Sequence, residues 1–246
     1  MLATADQPLP LSGAASPAQA LGDDKMQETG KAAATRLYEL STYTLKPGTV
    51  GDMLKAASNL EQDIRRDAFG QLEGYWSTDI GPLNQVKQLW SYSDSNERAQ
   101  LQAELTSNER WAAEYAPLVS PLIVRQEVRL LKGAVGPVPP ALDGNVYELR
   151  NYRVKDGAVA QWIDAFLTGL PGRERHSKIV GLWHTDDGGP SEVCHIWAFP
   201  SLNARAEARA NALKEPEWQD FLAKGGSLLE EMHTTIMLPA PHSPLR

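Results

Sequence analysis

The sequence predicts an α+β protein built from two tandem ferredoxin-like repeats, because the chain is duplicated and each copy has the element order β-α-β-β-α-β. The segment 38–43 returns at 147–152, an offset of 109 residues. Farther along, three tryptophans return at an offset of 107 residues: Trp76 as Trp183, Trp90 as Trp197, and Trp111 as Trp218. An order kept over such a length indicates a duplicated domain, since solenoid repeats have periods of roughly 20–50 residues.

The first strand of each repeat is predicted at 36–45 and at 145–154, where apolar and polar residues alternate. A helix follows in each repeat. Its apolar residues lie on one face of a 3.6-residue period, from Val50 to Ile64 and from Val159 to Leu170. We expect Pro171 and Gly172 to end the second of these helices.

Two short apolar runs joined by turn residues then predict a β-hairpin in each repeat. The hairpin strands are predicted at 72–78 and 85–92, and at 179–185 and 192–199. A second helix follows, capped by Asp94 in the first repeat and by Ser201 in the second. The closing strands are predicted at 123–131 and 234–238.

Helices cover only one face of such a sheet, and a large bare apolar face is not tolerated in water. We therefore expect the two repeats to pack sheet to sheet around a pseudo-two-fold axis. The predicted organisation is a disordered N-terminal tail (1–35), the first repeat (36–132), a Pro/Gly linker (133–144), the second repeat (145–240) and a C-terminal tail (241–246). The N-terminal tail is nearly devoid of large apolar side chains, and a translation start at Met26 is an alternative to Met1.

Composition excludes several classes of protein. The net charge of −7 over 246 residues and the lack of a basic run argue against nucleic-acid binding. No apolar stretch approaches the roughly 20 residues that span a membrane. The single cysteine, Cys194, rules out an internal disulfide and suits a reducing compartment, so we expect a cytoplasmic location. We also expect a homo-oligomer.

Several segments together resemble one family. They are Tyr-Glu-Leu-Ser-Thr-Tyr-Thr-Leu-Lys-Pro-Gly at 38–48, Gly-Tyr-Trp-Ser-Thr-Asp-Ile-Gly-Pro-Leu-Asn-Gln-Val at 74–86, Leu-Trp-Ser-Tyr at 89–92, Val-Tyr-Glu-Leu-Arg-Asn-Tyr at 146–152 and His-Ile-Trp-Ala-Phe at 195–199. With their tandem spacing they resemble the NIPSNAP family. The resemblance implies a dimeric α+β barrel, the fold of antibiotic-biosynthesis-type monooxygenases, and no established activity. Gln88 stands where the family pattern has histidine, whereas the second repeat keeps His195.

Strand alternation places Glu148, Arg150 and Tyr152 on one face, which lines the space between the sheets if Leu149 faces the helices. His195, with a pKa near neutrality when unperturbed, is the candidate base. The candidate catalytic residues are therefore His195, Glu148 and Arg150, and the candidate ligand-binding residues are Glu39, Tyr43, Tyr152, Trp183 and Trp197. The alternatives are a core histidine, a structural Arg–Glu ion pair and core tryptophans.

Two functions remain open from the sequence. One is a small-molecule enzyme, a cofactor-independent oxygenase or an isomerase, acting in a cavity between the sheets. The other is a non-catalytic ligand-binding or assembly protein whose sheet interface is packed core. The sequence names no cofactor, and its five histidines form no metal-binding spacing, so no metal site is expected. Large side chains that fill the sheet interface would favour the second function.

Overall fold

The computed structural model describes residues 36–185 and 189–246, so the predicted N-terminal tail lies outside the described residues. The first repeat has the predicted order. Its elements are β1 (Leu37–Leu45), α1 (Val50–Ala56), a π-helical turn (Ala57–Glu61), α2 (Gln62–Arg65), β2 (Gln71–Ile80), β3 (Gln85–Tyr92), α3 (Ser95–Thr106), a second π-helical turn (Trp111–Tyr115), α4 (Ala116–Val119), a 3-10 turn (Ser120–Leu122) and β4 (Ile123–Val135).

The second repeat follows the same plan with more regular helices. Its elements are β5 (Val146–Val154), α5 (Val159–Glu174), β6 (Ile179–Thr185), β7 (Glu192–Phe199), α6 (Leu202–Ala212), α7 (Pro216–Gly226) and β8 (Leu229–Pro239). Both predicted caps are confirmed. The Asp94 carboxylate accepts from the amides of Asn96 and Glu97, and the Ser201 hydroxyl accepts from the amide of Ala204.

Helix α5 does not end at Pro171 as predicted, because it continues to Glu174. Pro171 lacks only one amide hydrogen, so a single helical hydrogen bond is lost near the end of the helix. Gly172 serves close packing, since an added Cβ would lie 3.2 Å from Glu217 Oε2 and 3.3 Å from Glu215 Cβ. The Pro-Gly pair therefore marks the contact between α5 and the start of α7.

The eight strands close into one barrel with the order β1-β3-β2-β8-β5-β7-β6-β4. Within it, each repeat contributes a four-stranded antiparallel sheet, and the sheets are joined by hydrogen bonds at both edges. β2 pairs with β8, and β4 pairs with β6. Because β4 and β8 are equivalent strands, as are β2 and β6, the two seams are related by the expected pseudo-two-fold axis. Sheet-to-sheet packing is confirmed.

The segments before and after the second repeat both pack against the barrel. β4 continues into the predicted linker as far as Val135, and the amide of Val138 donates to the carbonyl of Val180 at 2.7 Å. The segment 241–246 lies against β2, where the Tyr75 amide donates to the Ser243 hydroxyl at 2.9 Å. Leu245 is buried with the side chains of the barrel interior.

Candidate basic cleft of the second repeat

The structure reverses the predicted orientation of the polar strand face. Glu148, Arg150 and Tyr152 lie on the helix-covered side of the second sheet, where Tyr152 packs with Trp162 of α5. Leu149 instead faces the barrel interior. The helices on the side that Glu148 faces supply the arginines that pair with it, and a buried carboxylate requires such partners.

The barrel interior is packed with large side chains, which corrects the expected cavity between the sheets. Aromatic residues of both repeats meet there, and Tyr38 contacts Trp183 with ring centroids 5.8 Å apart. Trp183 is therefore a core residue and lies apart from the other candidates. Cys194 also faces this interior, and burial raises the pKa of its thiol to about 12, as expected of an inert core thiol.

Glu148 is the centre of an arginine cluster between the sheet and α6. Its Oε1 lies 2.9 Å from Arg150 Nη2 and 3.2 Å from Arg209 Nη1, and it also accepts from Arg205. Arg150 donates to the Tyr152 hydroxyl at 2.6 Å. The Arg150–Glu148 ion pair thus lies within β5, and Arg205 and Arg209 tie the same carboxylate to α6, so the ion pair does not fasten the two repeats together.

Arg173 is a second buried guanidinium, which the sequence pattern did not single out. It is 4 % exposed and lies over the Trp197 ring, 4.5 Å from the ring centroid. Its Nη1 has no hydrogen-bond partner within the described ranges. Burial, reinforced by the charge of Arg150, lowers the pKa of Arg173 to about 10, so it stays charged at neutral pH. A buried cation without a carboxylate is costly and invites an anion.

His195 is held as a neutral hydrogen-bond donor. The indole Nε1 of Trp197 donates to His195 Nδ1 at 2.7 Å, and an indole nitrogen can only donate. Nδ1 is therefore unprotonated, and the ring proton sits on Nε2, which has no partner among residues 36–185 and 189–246. Burial, followed by the charges of Arg150 and Arg173, holds the pKa of His195 well below its usual value. The imidazole is a poor base and an available donor.

These groups converge on a cleft of about 100 Å³ between the sheet and the last two helices. Its lining residues are Arg150, Arg173, His195, Trp197, Arg209, Leu213, Trp218 and Leu222. Four guanidinium groups in and around the cleft face the single carboxylate of Glu148. The cleft is thus strongly basic in a chain whose net charge is −7. Three of its lining residues, Arg150, Arg173 and His195, each have a buried nitrogen without a partner in the described part of the chain, which suits an anionic head group.

The candidates in the first repeat lie in a different environment. Glu39 is satisfied by Arg98, by Gln102 at 2.9 Å and by Ser41 at 2.8 Å. The Tyr43 hydroxyl accepts from exposed Gln126 at 3.2 Å. They lie on the helix-covered side of the first sheet and share no site with His195.

A cavity of about 310 Å³ also lies on the helix-covered side of the first sheet. Glu61 and His242 both line it. His242 Nδ1 is hydrogen-bonded to the Ser58 hydroxyl at 2.8 Å, and burial lowers the pKa of its imidazole to about 4. Glu61 receives a hydrogen bond from Tyr115 at 2.8 Å and faces Arg65, so this cavity holds its own counter-charge.

The structure therefore brings together five of the eight sequence-predicted site residues: Glu148, Arg150, Tyr152, His195 and Trp197. Sequence reasoning missed Arg173, Arg209 and Trp218 as cleft residues. The signal for Arg173 was present, because it falls seven residues after Phe166 on the same helical face as Trp162. A helix that ends at Pro171, as the sequence analysis expects, does not include Arg173.

Within the described ranges, no group of three or more histidine, cysteine, aspartate or glutamate residues could hold a metal ion. Nor does any helix there have the length and apolar character needed to cross a bilayer.

Comparisons with known proteins assign the family. The NIPSNAP family model matches residues 38–135 and 147–244. Human NipSnap homolog 3A is 28% identical over 85% of this chain and 85% of its own length. Zebrafish NipSnap homolog 1 is 26% identical over 88% of this chain and 79% of its own length. The chain therefore belongs to the NIPSNAP family.

A solved structure of a Lactobacillus acidophilus protein, proposed to be a monooxygenase, is similar in fold. It has a TM-score of 0.62 and 15% identity, and the match covers 84% of this chain and 94% of that one. The α+β barrel fold is thus shared with that structure.

Proposed function

We propose that this NIPSNAP protein binds a small organic anion in the basic cleft of its second repeat. The observation that carries the proposal is Arg173, a buried guanidinium whose Nη1 has no partner in the described part of the chain. An isolated buried charge costs several kcal/mol. A bound carboxylate would remove this cost through charge-assisted hydrogen bonds, and these are the strong ones.

His195 completes the head-group site. His195 and Arg173 both line the cleft, and His195 Nε2 is a buried donor without a partner in the described residues. A neutral donor next to a cation binds one carboxylate oxygen without adding a further buried charge. Glu148 forms no ion pair with Arg173 within the described residues; its Oε1 is shared by Arg150, Arg205 and Arg209. Its role is to position the arginines.

Catalysis in the same cleft is the second candidate. A cofactor-independent oxygenase or isomerase needs donors aimed at a developing oxyanion, and His195 Nε2 and Arg173 offer them. It also needs a base. His195 is protonated on the free nitrogen. Glu148 binds three arginines through Oε1, its Oε2 is buried without a partner in the described residues, and it is not among the residues that line the cleft. The lack of a free base favours the binding function.

Calorimetric titration of the full chain with sodium butyrate tests the proposal. We expect one site per chain, and we expect Arg173→Met to weaken binding at least tenfold. Arg110→Met removes the same charge from an exposed ion pair of the first repeat, so it should change the affinity less than twofold. Binding that survives Arg173→Met, or an absence of binding to the wild type, would refute the proposal.

A further inference from the structure

We infer that the anion is amphipathic: a linear aliphatic carboxylate whose chain leaves the cleft over Leu213 and Leu222. The inference rests on the proposed function and assigns the class of ligand. It follows from three properties of the cleft, namely the order of its residues in depth, its volume and the position of its exposed leucines.

The exposed fraction of each lining residue shows how deep it lies in the cleft. His195, Trp197 and Arg173 form the floor, since they are 3 %, 2 % and 4 % exposed. Trp218 lies above them and is also buried. Leu213 and Leu222 form the mouth, at 54 % and 41 % exposure. The buried donors of Arg173 and His195 are therefore at the bottom, and the two leucines lie at the opening beside Arg209. A bound molecule with its charged end inward satisfies the buried donors and leaves its alkyl end at the leucines.

The volume argues against a ring on the floor. The whole open cleft, from its floor to the leucines of its mouth, has a volume of about 100 Å³, whereas a cavity of roughly 150 Å³ is known to hold benzene. A carboxylate with its first few methylenes fits in the smaller space. A longer chain must therefore continue past Trp218 to the mouth. This favours a linear chain over a flat aromatic ligand.

The mouth supplies an apolar track for that chain. Trp218 and Leu222 are four residues apart in α7, so their side chains lie on the same helical face. Leu213 follows the end of α6 and lines the same opening. A single exposed leucine is ordinary on a protein surface. In this cleft, one exposed leucine from α7 and one just after α6 line the opening above a cationic floor, and an alkyl chain would cover both.

Charge at the rim selects against cations. Arg209 lines the opening, with its side chain 42% exposed, and the floor holds Arg173. An alkyl amine of equal length would place an ammonium group against these guanidinium groups. The structure thus assigns the cleft to alkyl carboxylates and excludes alkyl amines.

A chain-length series tests the inference on the unmodified full chain. Acetate, butyrate, hexanoate and octanoate are titrated by calorimetry, with benzoate and octylamine as further probes, each below the concentration at which it aggregates. A fully buried methylene contributes about 0.8 kcal/mol, which is roughly fourfold in affinity. We expect about two- to fourfold per methylene in this cleft, so octanoate should bind at least tenfold more tightly than butyrate. Benzoate should bind more weakly than hexanoate, and octylamine should not bind.

Two variants locate the chain. Leu222→Gln should reduce octanoate affinity about fivefold and leave acetate affinity unchanged. Leu118→Gln, at a leucine of the first repeat that is 53 % exposed, should change neither. Equal affinities along the series, or tighter binding of benzoate than of hexanoate, would overturn the inference while leaving the anion site in place. If no carboxylate bound in an Arg173-dependent way, the proposed function would fail as well.

Discussion

The two repeats have the same arrangement of a buried arginine over a tryptophan, and they differ in whether a carboxylate neutralises that arginine. In each, a buried arginine near the end of the helical segment between the first two strands lies over a tryptophan of the hairpin. Arg65 of α2 is 3.3 Å from the Trp90 ring centroid, and Arg173 of α5 is 4.5 Å from that of Trp197. Four residues before Arg65 stands the buried carboxylate of Glu61. Four residues before Arg173 stands Gly169. The first repeat neutralises its arginine internally, and the second does not.

Packing explains why the second repeat lacks the carboxylate. An added Cβ at Gly169 would lie 2.6 Å from the Cβ of Phe221 and 2.9 Å from the carbonyl oxygen of Glu217. Helices α5 and α7 approach too closely for a side chain at this position. In the first repeat, Tyr115 on the facing helix donates to Glu61 instead. Close packing of the second pair of helices therefore goes together with an arginine that lacks a counter-ion.

The largest expected effect is on stability, through the two arginines. Arg65→Met leaves the buried Glu61 without its cation, so we expect the free energy of unfolding to fall by about 3–5 kcal/mol. Arg173→Met removes a buried charge with no carboxylate partner, and its unfolding free energy should stay within about 1 kcal/mol of wild type, or rise. Urea unfolding of both variants in anion-poor buffer measures the difference. Equal losses would mean that the two sites are electrostatically alike.

The next effect concerns the partner of the hairpin tryptophan. Trp197 donates to His195 Nδ1 at 2.7 Å, and Trp90 donates to Gln88 Oε1 at 2.8 Å. His195→Met leaves the buried indole donor of Trp197 unpaired, so we expect the free energy of unfolding to fall by about 1–3 kcal/mol. His195→Gln keeps both an acceptor for Trp197 and a donor for the cleft. It should preserve stability and keep carboxylate affinity within about fivefold.

The role of His195 as a neutral donor has a matched control in the first repeat. Gln88→His is the matched exchange in the first repeat and should be neutral in both stability and affinity. If His195→Gln abolished ligand binding while the fold persisted, the role of the imidazole would exceed that of a neutral donor. The assignment of the ring proton to Nε2 would then be wrong.

The smallest effect is a pH dependence. The pKa of His195 is held well below its usual value in the folded state, so below pH ~6.5 the unfolded chain binds a proton that the folded chain does not. Stability falls in that range as pH decreases. We expect wild type to lose about 1 kcal/mol relative to His195→Gln between pH 6.5 and 5.5, measured by urea unfolding of both proteins. Parallel pH profiles would show that His195 titrates normally.

Much of the fold follows from periodicity and duplication. The hairpin strands at 179–185 and 192–199 agree with β6 and β7 to the residue, since alternating apolar runs bounded by turn residues leave little freedom. Alternation also showed that His195 and Trp197 share a face. It could not show which face the helices cover, because both faces of β5 carry aromatic residues.

The site could be predicted only in part for the same reason. Arg205 and Arg209 lie on a helix for which the sequence alone names no partner, and in the structure both pair with Glu148. Placing Arg173 in the cleft requires knowing that α5 continues beyond Pro171. That part of α5 packs against α7, a tertiary contact that the local sequence does not reveal. The π-helical turn Ala57–Glu61 adds one residue to the first repeat. The spacing between Arg65 and Arg173 therefore matches neither of the two offsets that relate the repeats elsewhere, which hides their equivalence in the sequence.

Anomalous scattering from a crystal soaked in sodium bromide tests the difference between the repeats most directly. Bromide replaces a small anion, and one data set probes both arginines at once. We predict a peak within hydrogen-bond distance of Arg173 Nη1 and His195 Nε2, and no peak beside Arg65, whose counter-ion is Glu61. Peaks at both arginines, or a peak at Arg65 alone, would contradict the proposed difference in counter-charge.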